Sequence, residues 1–541
     1  MIILLLGLNA YALSSRAVDG LNELSIRWRW SGYNLVRHQD STYGNVAATK
    51  SDNQFNFFVN GLFMFSAPDP DVAFVEEMVH FPMLLHPSPS RVLIIGGGVG
   101  GPLDEVLKHP VDEVHYTELD PLIISVYRKF TPTSTLDDPR VQVQNIDGRF
   151  FVKNVKEKFD VVIVNLPSPS TLQLNRFYTQ DFFQEIRSIL NEDGVFSIWV
   201  SSSEAYMSKE MRNRNDCIYA TVKSVFPFSI AIQGDHTFYL SSATKISYDV
   251  GVLTKRLRQR ALETRLLNEH YITYKQDRIV STVDMPQDRI RVNKDFEPIG
   301  SYYDIVLWNV MYYPESRTVF DRVSRETLWL VILGLSALLV SISVRRREGL
   351  GKTPILAAII TTGIAGMTFN IILIFAFQAS YGYVYQAIAI LTASFQVGLS
   401  LGALSMNRLI DRVRRRVSVL ATIQLIICAF SLTILITLTT FSWGPHILTE
   451  VGFLTLNTLA GVFVGLEFPL ACRIYLDDKG GQVDRVAGTI YASDLCGACL
   501  GTALAGVFLI PVLGVQQTCI GLIVLNLTSL LLLLGMERSG L

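Results

Sequence analysis

The chain has 541 residues, too many for one hydrophobic core, so two or more domains are expected. Its 47 Lys and Arg against 48 Asp and Glu leave a net charge of −1, and no basic cluster interleaved with aromatics occurs, which excludes a nucleic-acid partner. Of six cysteines only Cys217 precedes residue 327, which excludes a disulfide framework in the soluble part.

In chain order, residues 2–13 are apolar but too short to span a bilayer. Ala10-Tyr11-Ala12 fits a signal-peptide cleavage site, although a basic n-region is missing; the tail of a truncated membrane helix fits equally. Residues 24–66 alternate in β style, with Tyr43-Gly44 and Asn60-Gly61 as turn signals, and 72–86 read as a helix. From 92 to 241 strands and helices alternate, the pattern of a doubly wound parallel sheet. Residues 251–268 read as a basic helix and 270–326 as a mixed connection. Seven apolar runs follow, at about 327–344, 354–378, 383–405, 418–440, 447–472, 487–511 and 516–536, each long enough to cross a bilayer as a helix. The expected division is therefore 1–13, a short apolar segment; 14–85, a small β-domain and linking helix; 86–250, an α/β domain; 251–326, a connection; and 327–541, a transmembrane domain. Cys496-Gly-Ala-Cys499 sits inside a spanning run and reads as packing, as does Gly497-x-x-x-Gly501.

The chemistry concentrates at Arg91-Val-Leu-Ile-Ile-Gly-Gly-Gly-Val-Gly-Gly101. An apolar strand runs into Gly96-x-Gly98-x-x-Gly101 and then a helix. Glu118 ends the next strand about twenty residues on, where a nucleoside-binding fold sets a carboxylate on ribose hydroxyls. Asp147-Gly148 follows the strand 141–145, a place where a carboxylate accepts from the adenine amine. Asn165 ends the strand 160–164. All four fall on the carboxyl edge of a parallel sheet, where ligands bind in open α/β folds. The predicted donor-binding set is Gly96, Gly98, Gly101, Glu118, Asp147 and Gly148, and no metal site is predicted.

Several of these segments resemble the spermidine synthases, the polyamine aminopropyltransferases. They are Leu93-Ile-Ile-Gly-Gly-Gly-x-Gly-Gly, Glu105-Val-Leu-Lys-His-Pro110, Glu118-Leu-Asp-Pro121, Asp138-Pro-Arg-Val141 and Asp147-Gly148, with Glu76-Glu-Met-Val-His80 upstream. The resemblance covers roughly residues 33–245. It implies a small N-terminal β-domain beside a Rossmann-like, class I methyltransferase-type α/β domain. It also implies decarboxylated S-adenosylmethionine, or S-adenosylmethionine, as co-substrate and a polyamine as acceptor. Gly465-Leu-Glu-Phe-Pro469, Arg473-Ile-Tyr475 and Gly497-Ala-Cys-Leu-Gly501 resemble the hydrophobic module of membrane-fused spermidine synthase-like proteins. Asn165-Leu-Pro-x-Pro169 and Gln173-Leu-Asn-Arg-Phe-Tyr-Thr179 resemble those fused proteins as well.

The resemblance also exposes a departure. Soluble spermidine synthases carry an acid in the glycine turn and an Asp-x-x-Asp at the strand end. Here those positions are Val99, Asn165 and Ser168, so three carboxylates are absent. A neutral Asn neither removes a proton from an ammonium nor neutralises it. Asn165, Ser168, Tyr178 and Asp181 are the candidate catalytic residues on the acceptor side. Two functions follow: a membrane-anchored aminopropyltransferase-like transferase, or a catalytically degenerate nucleoside-binding module regulating a membrane partner or transporter.

Within the apolar runs Glu467 and Asp494 are the notable acids. Basic residues cluster at Arg345–Arg347 with Lys352, at Arg408–Arg416, and at Arg473, Lys479 and Arg485. The positive-inside rule puts those loops in the cytoplasm and the soluble part outside. The cytoplasmic origin of S-adenosyl donors argues the other way, and Arg317, Arg322 and Arg325 flank the first run on its other side. The expectation taken is an integral protein of a bacterial inner membrane with its soluble domain in the cytoplasm. Its expected partners are a nucleoside donor, a polyamine, the lipid bilayer and a second copy of the chain.

Overall fold

The computed structural model describes residues 16–131, 134–280, 290–345, 353–381, 385–440, 447–476 and 483–538. The apolar run 2–13 lies outside the described residues.

An antiparallel meander of β1 (Leu35–Asp40), β2 (Asn45–Ser51), β3 (Gln54–Val59) and β4 (Leu62–Ala67) opens the fold. Its last turn follows from two residues. Val59 pairs with Leu62, so Asn60 and Gly61 alone reverse the chain, at φ of 53° and 81°. A two-residue type I′ hairpin requires positive φ at both positions, and Asn-Gly adopts it with little strain. A Cβ on Gly61 would meet nothing within 4 Å. Gly61→Ala is therefore expected to destabilise by about 1–2 kcal/mol through the left-handed backbone alone. An unchanged midpoint in urea unfolding of the purified protein would contradict that.

The β reading of 24–66 is corrected at its start, because Arg16–Arg29 is a helix. Leu21, Leu24 and Trp28 recur at helical spacing and are exposed.

The second sheet contains β5 (Arg91–Ile95), β6 (Glu113–Thr117), β7 (Val141–Gln144), β8 (Phe159–Val164), β9 (Leu190–Ser201), β10 (Phe228–Ile232), β11 (His236–Ser242) and β12 (Ile279–Val280). Their spatial order is β12-β10-β11-β9-β8-β5-β6-β7. The five strands from β9 to β7 are parallel. Val92–Ile95 and Val161–Val164 are buried, as strands covered on both faces must be. The parallel expectation stops at β9. Strands β11, β10 and β12 join antiparallel, because residues 233–235 between β10 and β11 are too few for a crossover.

The helix Val72–Leu85, N-capped by Asp71, lies buried between the sheet and the connection. Its resemblance motif turns out to be an anchor. The Glu76 carboxylate accepts from the backbone N–H groups of Arg265, Leu266 and Leu267 at 2.6, 2.9 and 2.8 Å. Glu77 pairs with Lys275, and His80 links His109 to Glu105. These bonds explain a second correction: the helix read over 251–268 is Val250–Gln259, and Ala261 turns left-handed at φ 50° so that 265–267 can reach Glu76.

Among the described residues, six helical spans are long and apolar enough to cross a membrane, and they account for the seven runs expected. The sixth, Arg485–Glu537, has 53 residues and contains both of the last two runs. It is not one rod. Gly514 breaks it at φ 81°, and Val483–Leu504 and Gly514–Arg538 both pack on Thr353–Tyr381. Gly497 and Gly501 face the carbonyls of Ile360 and Ile364, so they are a packing face as expected. Gly398, Gly402, Gly461 and Gly465 bring two further helices into backbone contact.

The soluble part docks on one end of this bundle. Lys153 donates to the carbonyls of Ala379 and Ser380 at 3.2 and 3.0 Å. Arg325 pairs with Glu297 at 2.9 Å, and Val515 N–H donates to Phe296. Within the connection, helix Ile299–Tyr312 packs on Lys209–Lys223 through the buried pair Arg214–Asp304, 2.8 Å. The 25-residue helix Tyr385–Leu409 leads away from the docked end. It sets Arg408–Arg416 at the opposite end, roughly 37 Å away.

Candidate functional site

The glycine turn leaves β5 at the point where the sheet order reverses, between β5 and β8. Open α/β sheets bind ligands at this switch point. Gly96 N–H donates to Thr117, and Leu103 N–H donates back to Gly98 to start the helix Pro102–Leu107. Gly97 needs to be glycine on two counts: its φ is 51°, and a Cβ would lie 2.5 Å from Asn165 Nδ2. A Cβ on Gly98 would lie 2.6 Å from the Tyr116 ring.

Glu118 is buried behind the turn. It accepts from the Tyr116 hydroxyl at 2.9 Å, from Asp120 N–H at 3.3 Å and from Gly97 N–H at 3.4 Å. Burial pushes its carboxyl above the usual range, against those hydrogen bonds. Glu118 thus stands beside the turn, as the sequence placed it.

Asp147 is differently engaged. It N-caps the helix Gly148–Asn154, accepting from Arg149 and Phe150 N–H, each at 3.0 Å. Both of its oxygens also pair with the buried Arg176 guanidinium. The carboxylate read as an adenine acceptor is therefore held by the protein's own cation, which the loop 166–179 carries back over the strand ends. The pairing continues. Arg149 makes two-pronged contacts with Glu185 and Asp295 at 2.7–2.9 Å, and Lys153 at the far end of the same helix reaches the bundle. Burial alone would lower the Arg149 guanidinium; Asp295 and Glu185 outweigh it and hold it above its usual range.

The four candidate acceptor-side residues separate. Asn165 donates to the Gly97 carbonyl at 2.9 Å and accepts from Trp199 Nε1 at 3.1 Å, so it is a strut between the turn and β9. Ser168 bonds Ser201 at the end of β9. The fully buried Tyr178 hydroxyl lies within 3.1 Å of the carbonyls of Leu166, Pro167 and Trp199 and clamps the loop after β8. Burial raises its phenol. Asp181 accepts from Asp295 N–H at 2.8 Å, on the side facing the connection. Burial, then Asp295, raises its carboxyl.

Next to the turn lies a cavity of about 280 Å³. Gly97, Val99, Gly100 and Asn165 form its floor, β4 from Phe63 to Ser66 one wall, and Asp71, Phe74, Trp199 and His236 the other. Of the four acceptor-side candidates, Asn165 alone lines it. Asp71, Phe74, Trp199 and His236 were not singled out from the sequence. Asp71 carried a helix-capping signal, and His236 opened a strand, but neither pattern announces a cavity. Among the described residues no cluster of three or more His, Cys, Asp or Glu is arranged to hold a metal. In the bundle, Glu467 accepts from Gln424 Nε2 at 2.6 Å, and Gln424 also donates to Thr362.

Fold and site together define a class I methyltransferase-type α/β domain, with a glycine turn and a buried acid at adjacent strand ends and a β-meander over its mouth. Residues 72–236 match the spermine/spermidine synthase domain. A polyamine aminopropyltransferase of Thermotoga petrophila is 40% identical over 144 residues, 26% of this chain and 48% of that protein. The Bacillus subtilis polyamine aminopropyltransferase is 33% identical over 175 residues, 32% of this chain and 61% of that protein. That of Leptospira interrogans is 28% identical over 226 residues, 40% and 44% of the two chains. The chain thus spans about half the length of the curated relatives it matches. A crystal structure of the Thermotoga maritima spermidine synthase aligns with 45% of this chain and 84% of its own, at 27% identity and a TM-score of 0.38.

Proposed function

We propose that the chain is a membrane-anchored, spermidine synthase-like transferase. It takes decarboxylated S-adenosylmethionine as donor and passes the aminopropyl group to an amine. The observation that carries this reading is the turn-and-acid edge, Gly96–Gly101 with Glu118, inside the matched domain. In the reaction the amine nitrogen attacks the aminopropyl carbon bound to the sulfonium. A C–N bond forms, the C–S bond breaks, and sulfur keeps the electron pair as methylthioadenosine leaves. Val99, Asn165 and Ser168 lack charge, so an ordinary polyamine loses its usual partners. Anchoring is supported by the six apolar spans. Purified full-length protein given the decarboxylated donor and a panel of monoamines and diamines is expected to release methylthioadenosine with at least one of them. Tight nucleoside binding without turnover for any of a panel of amines would overturn the reading.

A second reading, a nucleoside-responsive regulatory module, is favoured by two observations. The chain Asp147–Arg176, Arg149 and Lys153 leads from the strand edge to the carbonyls closing a bundle helix. The arginine-rich end of the bundle is also the one away from the soluble domain, and positive-inside weighting then turns that domain outward. The transferase reading needs the domain in the cytoplasm, where the donor is made. A cysteine at the exposed Tyr206 separates the two. Labelling of Tyr206→Cys by an impermeant maleimide only in inverted vesicles supports the transferase; labelling in intact cells supports the second reading.

A further inference from the structure

The cavity beside the glycine turn is built for a different acceptor from the one a spermidine synthase-like domain suggests. Three of its rings form one cluster: Phe74 lies 4.9 Å from Trp199 and 4.5 Å from His236, and Trp199 lies 5.1 Å from His236. Phe65 and Met64 face them from β4. Asp71 is the one carboxylate among the lining residues. One of its oxygens takes the Phe74 N–H at 3.1 Å, leaving the other for a ligand. Asn165 is held by one bond at each end of its amide and carries no charge to pair with an ammonium.

A diamine brings two ammonium groups, each needing a carboxylate or water when buried. This wall supplies one carboxylate and, apart from Ser66 and Asn165, apolar or aromatic surface, which holds an apolar body by burial and one cation by its ring faces. His236 shares the cavity, so an imidazole is available to take a proton.

We infer that the acceptor seated here is a monoamine with an aromatic or extended apolar body, its nitrogen held by Asp71 and its proton passed to His236. The inference rests on the transferase reading for the nucleophilic step; the seat itself does not. The neutral imidazole first takes one proton from the ammonium, and the freed nitrogen lone pair then attacks the donor's aminopropyl carbon. The sulfur departs with the C–S electron pair, so charge and atoms balance. Burial holds the imidazole below its ordinary range. The charges around it are Asp71, Asp235 and Lys275.

The test uses the detergent-purified full chain saturated with methylthioadenosine and titrated calorimetrically with phenethylamine, hexylamine and putrescine. Phenethylamine is expected to bind at least about tenfold more tightly than putrescine. Asp71→Asn and Trp199→Ala are each expected to lose about tenfold. Putrescine binding as tightly as phenethylamine, or no amine binding, would overturn the inference whatever the variants do. A parallel assay measures methylthioadenosine release from the decarboxylated donor. Release preferring phenethylamine and lost in His236→Asn, with binding kept, supports the base. Release preferring putrescine overturns the inference and leaves the transferase standing. Phenethylamine binding with no release from any amine overturns the transferase and leaves the seat standing.

Discussion

Arg149→Ala is expected to destabilise the α/β domain by about 3–5 kcal/mol, the range for removing one partner from a buried ionic group. The side chain is fully buried and serves two carboxylates at once, Glu185 and Asp295, besides the Arg176 carbonyl. Its removal leaves Asp295 and the Arg176 carbonyl without their cation, and Glu185 with Lys153 alone, 3.7 Å away. For a unit of this size the thermal midpoint should fall by roughly 6–20 °C. Arg149→Met should behave alike, since side-chain volume is not what is lost. Adding Glu185→Gln and Asp295→Asn to Arg149→Ala should recover part of the loss, because the unpaired charges go with them. Scanning calorimetry of the full chain measures this, and an unchanged midpoint would show that water replaces the guanidinium. The same substitution should loosen the docked interface, because Lys153 sits on the same helix.

Glu118→Gln is expected to weaken methylthioadenosine binding by about 10–100-fold, read by calorimetric titration. A carboxylate accepting from two ribose hydroxyls makes charge-assisted bonds of about 1.5–3 kcal/mol each, and a neutral amide keeps only part of that. The pH dependence has a definite sign. Burial raises the folded carboxyl above its ordinary value, so protonation sets in at higher pH than for an exposed glutamate. Wild-type affinity should therefore be full above that raised value and fall as the pH drops through it, while the Gln variant stays flat. Stability of the free protein moves the other way: the buried charge opposes folding above the raised value, and that penalty fades as Glu118 protonates. Equal affinity in wild type and variant would remove the ribose role from Glu118.

Much of the edge was legible before any coordinates. Glycine turn, acid and strand ends are local patterns, and their spacing is set by strand length and a right-handed crossover. The apolar spans were legible for the same reason: the runs 487–511 and 516–536 fall on either side of Gly514, where the 53-residue stretch Arg485–Glu537 breaks. What the sequence does not show is the company these side chains keep: Arg176, 29 residues on, returns to pair with Asp147. Asp181 and Tyr178 lie near the site in sequence, but one turns toward Asp295 and the other spends its hydroxyl on three carbonyls.

The order of strands, the glycine turn, Glu118 and the missing acceptor acids at Val99, Asn165 and Ser168 are properties of the sequence itself. They depend on periodicity, on backbone conformations open to glycine, and on which side chains carry charge. The partners of those side chains were decided only in three dimensions. The cavity wall is assembled from β4, the start of the 72–85 helix, β9 and β11, segments up to about 170 residues apart, and no local pattern reports their meeting. The same holds for the end of the bundle on which the soluble domain rests, set by single contacts such as Lys153 to Ala379 and Ser380. Hydrophobic burial brings distant elements together without direction. Which polar groups then face each other depends on the packed geometry.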